Sequence, residues 1–147
     1  MFNKELLKKA EEKCGFFWKS GASDELIKKL CNNLEVELPN SYIEFLKTYG
    51  EGGLSGFYIS GINNDEYSSA EEDTLLYREE KNIKKELIVV GRVKTKWEKY
   101  LICLDTSRMK DGECPVIKYD LVDNEVEDFK ENFYEYFNYK VEIAFNK

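Results

Sequence analysis

Two continuous apolar runs, Leu87-Ile88-Val89-Val90 and Tyr100-Leu101-Ile102-Cys103-Leu104, constrain this chain most. Each is too short for a globular helix and too uniformly apolar for a strand wetted on one face. Such runs predict central strands of a sheet buried on both faces. Asp111-Gly112 precedes a third apolar stretch at residues 116–119, and Asp-Gly between apolar runs is a strong hairpin signal. A short further strand is expected over residues 122–126.

The first half carries a different period. Residues 2–13 read as an amphipathic helix with Leu6, Leu7 and Ala10 on one face, stopped at Gly15. The apolar Phe16-Phe17-Trp18 then packs on the domain or starts a short strand. Ser23 is placed to cap a second helix that carries Leu26, Ile27, Leu30, Cys31 and Leu34. Ser41 and Glu44 have capping-box spacing at the start of a third, with Tyr42, Phe45, Leu46 and Tyr49 as its apolar face and Gly50 as its left-handed terminator. Glycines 50, 52, 53 and 56 lead into a predicted strand at Phe57-Tyr58-Ile59. A helix is expected over residues 69–81, and a last helix bears Phe129, Phe133, Tyr136, Phe137 and Ile143. Helices, then strands, then a helix predict an α+β fold: a mainly antiparallel sheet flanked by helices. No repeat or linker divides the 147 residues, so 1–147 reads as one domain.

The chemistry is narrowed by what is missing. There is no histidine, so Ser-His-Asp and Cys-His arrangements are impossible. Four cysteines occur without a CxxC pair, so no zinc site is expected. Cys31 and Cys103 lie in apolar patterns and read as core residues, and no disulfide framework is expected. Gly50-Glu51-Gly52-Gly53 lacks the Lys-Ser or Lys-Thr of a phosphate loop. Asp105, Ser107, Asp111 and Glu113 suggest a calcium loop, but the template's sixth and twelfth positions are Lys110 and Val116. Neither a metal nor a cofactor is expected, and no catalytic residue stands out.

Charge points toward a protein partner. With 22 Lys and Arg against 29 Asp and Glu, the net charge is −7, which disfavours nucleic acid and favours a basic protein. The densest acidic cluster is Asp65, Glu66, Glu71, Glu72 and Asp73, with Tyr67 inside it. A second comprises Asp123, Glu125, Glu127 and Asp128. Carboxylates around an aromatic anchor suit a basic surface, although such runs equally describe a solvated face. No apolar run approaches a membrane span and the N-terminus has no signal-peptide pattern, so the expected location is cytoplasmic, with no membrane partner.

Two segments carry a resemblance. Leu38-Pro39-Asn40-Ser41-Tyr42, then Phe45-Leu46, then Tyr49-Gly50 with Gly52-Gly53-Leu54, resembles the N-terminal signature of the SUKH (Smi/Knr-type) superfamily. There a Leu-Pro begins a helix and a glycine turn leads into the sheet; here Tyr49-Gly50-Glu51-Gly52-Gly53 fills that turn without the usual Asn. Cys103-Leu104-Asp105-Thr106, followed by Met109-Lys110-Asp111-Gly112-Glu113-Cys114-Pro115-Val116, is similar to the hairpin of the YobK-like branch. The resemblance implies an α+β domain and no catalytic residues. It also implies an immunity protein that binds and neutralises a polymorphic toxin, often a nuclease. A regulatory scaffold or small-ligand module of the same superfamily is the alternative, and the oligomeric state stays open.

Overall fold

The structure, a computed structural model, describes residues 1–63, 67–92 and 99–147. The helices are α1 (Lys4–Cys14), α2 (Asp24–Leu34), α3 (Asn40–Thr48), α4 (Ser69–Lys81) and α5 (Phe133–Phe145). Four start on a side chain that accepts a backbone N–H: Asn3 from Leu6, Ser23 from Leu26, Ser68 from Glu71 and Asn132 from Glu135. Each such cap satisfies a donor that the helix itself leaves unpaired.

Helix α3 differs, and the Ser41-Glu44 capping box does not form. Its N-cap is Pro39, whose side chain has no hydrogen-bonding atom. The Ser41 N–H (2.9 Å) and hydroxyl instead both donate to the carboxylate of Glu113, and the Asn40 N–H donates to Gly112 O at 2.8 Å. The Asp-Gly hairpin thus docks on the positive end of α3 and supplies its cap from across the fold. Glu113→Ala is expected to cost about 1–2 kcal/mol in urea denaturation, the usual cost of a lost cap. Glu113→Gln should cost less, because its amide oxygen still accepts. Equal losses for the two would remove the capping role.

The strands β1 (Leu87–Gly91), β2 (Tyr100–Asp105), β3 (Val116–Asp120) and β4 (Val126–Lys130) form one antiparallel sheet in sequence order. Ile88, Val90, Leu104 and Val116 join the main core with α1, α2, α3 and α5. The alternate residues Leu87, Val89, Leu101, Cys103, Ile117 and Tyr119 form a second, smaller core with Ile83. The runs are buried on both faces as expected, but β1 is an edge strand rather than a central one. Its edge is covered: the Ser60 N–H donates to Val90 O (2.8 Å), and the Val89 N–H donates to Thr74 Oγ1 of α4 (2.9 Å). That covering satisfies backbone groups that would otherwise template aggregation.

Three other expectations shift. Phe57-Tyr58-Ile59 contributes only an isolated bridge, Gly52 to Ile59, and Phe16 makes another with Leu54. The fourth strand starts at Val126 because Asp120 folds the preceding residues into a turn, its carboxylate accepting from Val122 and Asp123 N–H at 2.8 and 3.1 Å. Phe129 therefore lies on β4, not on the last helix. The main core is strongly aromatic: fully buried Phe45 sits among Trp18, Tyr42, Phe133 and Phe137, with ring centroids 5.5 to 6.1 Å away. Buried Tyr42 donates its hydroxyl to Ser60 O at 2.7 Å, so the ring enters the core without an orphaned donor.

Candidate functional site

Helix α4 sorts the first acidic cluster by its period. Ala70, Asp73 and Thr74 face inward, and Tyr77, next in that stripe, packs against the second core. Glu72, Leu75, Leu76, Glu79 and Glu80 face out. Asp65 and Glu66 lie outside the described residues. Tyr67 is half exposed, and its hydroxyl bonds the Glu72 carboxylate; that bond, before burial, pushes its pKa up to about 12. Glu71 accepts from Asn33 Nδ2 at 3.0 Å, tying α4 to α2. Leu75 and Leu76 are 44% and 39% exposed, large values for leucines beside a packed core.

Asp73 is not on that surface. It is 3% exposed and accepts from the Ser60 hydroxyl at 2.9 Å and from Arg92 Nη1 at 3.5 Å. Desolvation raises its pKa, and the bonds from Ser60 and Arg92 only partly oppose this. The folded chain therefore holds this proton more tightly than the unfolded chain. Stability from this group is full below the ordinary carboxylate pKa and is lost as pH rises through the elevated folded value. Asp73→Asn, which keeps an acceptor for Ser60, is expected to gain on wild type in urea titrations as pH rises from the ordinary carboxylate pKa through the elevated one. A stability difference that stays constant with pH would contradict this.

The second cluster occupies the other end of the sheet. Asp123, Glu125 and Glu127 are exposed on the β3–β4 turn and on β4. Asp128 is engaged by Arg108, whose guanidinium reaches both its oxygens at 2.6 and 3.2 Å and also holds Asp105 at 2.9 Å. Those bonds from Arg108 hold the Asp128 carboxyl below the ordinary range. Since α4 covers the β1 edge and this cluster lines the β4 edge, the two acidic groups do not form one face. The structure brings together Tyr67, Glu71 and Glu72 and adds Leu75 and Leu76 to them.

A third feature was not anticipated. The sheet and α5 part at one end to leave a cavity of about 520 Å³. Gly91, Ile102 and Lys118 floor it; Phe129, Tyr136, Tyr139 and Lys140 wall one side; Phe57, Tyr58, Arg92, Lys99 and Tyr100 complete it. One sequence signal pointed here. Lys118 stands two residues after buried Val116 on the same face of β3, a charged residue where alternation calls for an apolar one.

Nucleophile chemistry finds no support in the thiols. All four cysteines are free. Burial raises the pKa of Cys103 strongly and pushes that of Cys114 up to about 12, so both stay protonated and inert. Among the described residues no group of three or more His, Cys, Asp or Glu could hold a metal ion, and no helix is long and apolar enough to cross a membrane.

A four-stranded antiparallel sheet backed by helices, with an acidic-apolar helix at one edge and a cationic cleft at one end, defines an α+β domain. The family described as SMI1-KNR4 cell-wall matches residues 3–142, and the chain belongs to this SUKH family.

Proposed function

We propose that the protein is an immunity protein of the YobK-like branch, acting in the cytoplasm by stoichiometric binding to a basic toxin domain, a nuclease, without catalysis of its own. The carrying observation is the outer face of α4. Leu75 and Leu76 follow Glu72 at helical spacings of three and four, and Tyr67 bonds Glu72. Apolar anchors beside Glu72, Glu79 and Glu80 have the anatomy of a protein interface, a desolvated centre within a charged rim. The net charge of −7 favours a basic partner and speeds its capture. Membership of the SUKH family supports this reading. The test is co-expression with the product of an adjacent toxin gene. Rescue of growth and co-elution as one complex are expected; undiminished lethality with no complex on gel filtration would sink the proposal.

A further inference from the structure

The structure assigns a second binding site to the cleft between the sheet and α5, for a small organic anion of nucleotide size whose planar ring lies on the aromatic wall and whose phosphate meets the cations. The charge is the first argument. The chain has more acidic than basic residues, 29 against 22, yet among the described residues the cleft is lined by Arg92, Lys99, Lys118 and Lys140 and by no carboxylate. Asp73 and Asp120 pair with Arg92 and Lys99, and the concentration of cations against the sign of the whole molecule still favours an anion in the cleft.

Lys118 shows this most directly. Its ammonium lies 4.3 Å from the Phe129 ring centroid and 5.4 Å from that of Tyr100. Among the described residues it makes no salt bridge, although Glu127 is its register partner on β4. Aromatic faces hold it by cation–π attraction, which leaves its charge uncompensated. Arg92 and Lys99 pair with Asp73 and Asp120 at 3.5 and 3.6 Å, toward the long end of the ion-pair range.

Shape is the second argument. A concave space of about 520 Å³ fits an organic ligand rather than a flat protein surface. Tyr100 and Tyr139 offer partly exposed rings and hydroxyls to a planar group, the pairing of stacking with cations that nucleotides exploit. This site does not depend on the toxin reading, and either can fail alone.

Isothermal titration calorimetry of the full chain with ADP, adenosine and pyrophosphate tests it. ADP is expected to bind more tightly than either fragment and to weaken with added salt. Lys118→Gln should weaken ADP about ten-fold, with an unchanged near-ultraviolet spectrum. Tyr139→Leu should erase the advantage of ADP over pyrophosphate. The inference fails if ADP gives no heat at millimolar concentration, if adenosine binds as well as ADP, or if Lys118→Gln changes nothing. Tighter binding of an acidic peptide than of ADP would also overturn it, in favour of a protein occupant.

Discussion

Gly50→Ala is expected to destabilise the protein more than Gly15→Ala, although both glycines have a positive φ. Gly50 has φ +74° and Gly15 φ +75°, so both substitutions put an L-residue at a positive φ, about 1–3 kcal/mol. The surroundings then separate them. A Cβ at Gly15 meets nothing within 4 Å, whereas one at Gly50 falls 2.3 Å from Ser20 O and 2.6 Å from Ile62 O. Both obstacles are backbone, so no rotamer relieves them. Gly50 also ends α3, donating its N–H toward Leu46 O at 3.1 Å, and its own carbonyl accepts from Ile62 N–H at 2.9 Å. Forcing these segments apart adds about 1–3 kcal/mol of overpacking, a large share of the stability of an ordinary domain. Urea midpoints for the two variants decide the matter. Equal losses would mean that conformation alone, and not the close approach of three segments, makes Gly50 necessary. Gly53 reaches intolerance by another route: its φ is not positive, but a Cβ there would sit 2.1 Å from Phe57 O.

Local signals survived where nothing distant competed with them. Helix α4 runs over residues 69–81 as its pattern predicts, and the Asp-Gly turn closes with paired Lys110 and Glu113 backbones. Apart from the late start of β4, which the local Asp120 turn sets, three misplaced features involve remote competitors. Ser41 turned from a local capping box to Glu113, a carboxylate 72 positions on. The β1 run gave no hint of being an edge strand, because Ser60 and Thr74 bury it from outside the sheet. Phe129 fits the helical period of the last segment, but pairing with β3 claimed it for β4. The candidate site divides in the same way. Composition located the acidic segments, while only the helix phase shows that Asp73 points inward and that Leu75 and Leu76 point out. The cleft draws on strands, a loop and α5 at once, and Lys118 was its one visible trace.

The phase of α4 also changes which substitutions probe the toxin interface. A lysine at Asp73 would be buried against Arg92, so its effect would report misfolding rather than recognition. Replacing Glu72, Glu79 and Glu80 by lysine leaves the inner stripe of Ala70, Thr74 and Tyr77 and the Glu71–Asn33 bond untouched and reverses the outer face. Association with the toxin is expected to slow by about 10- to 1,000-fold at low salt, the range that electrostatic steering supplies. The rate should also lose its decline with added salt, since screening acts on the attraction that has been removed. Reversal of Asp123, Glu125 and Glu127 on the opposite edge is the matched control, with Asp128 spared because Arg108 holds it. If charge acts only through the whole molecule, both sets will slow association equally per charge reversed. If α4 is the docking face, its set will slow association far more, and Leu76→Ala will then speed dissociation with little effect on association, as loss of an apolar anchor should. A larger effect from the β4 set would move the interface to that edge.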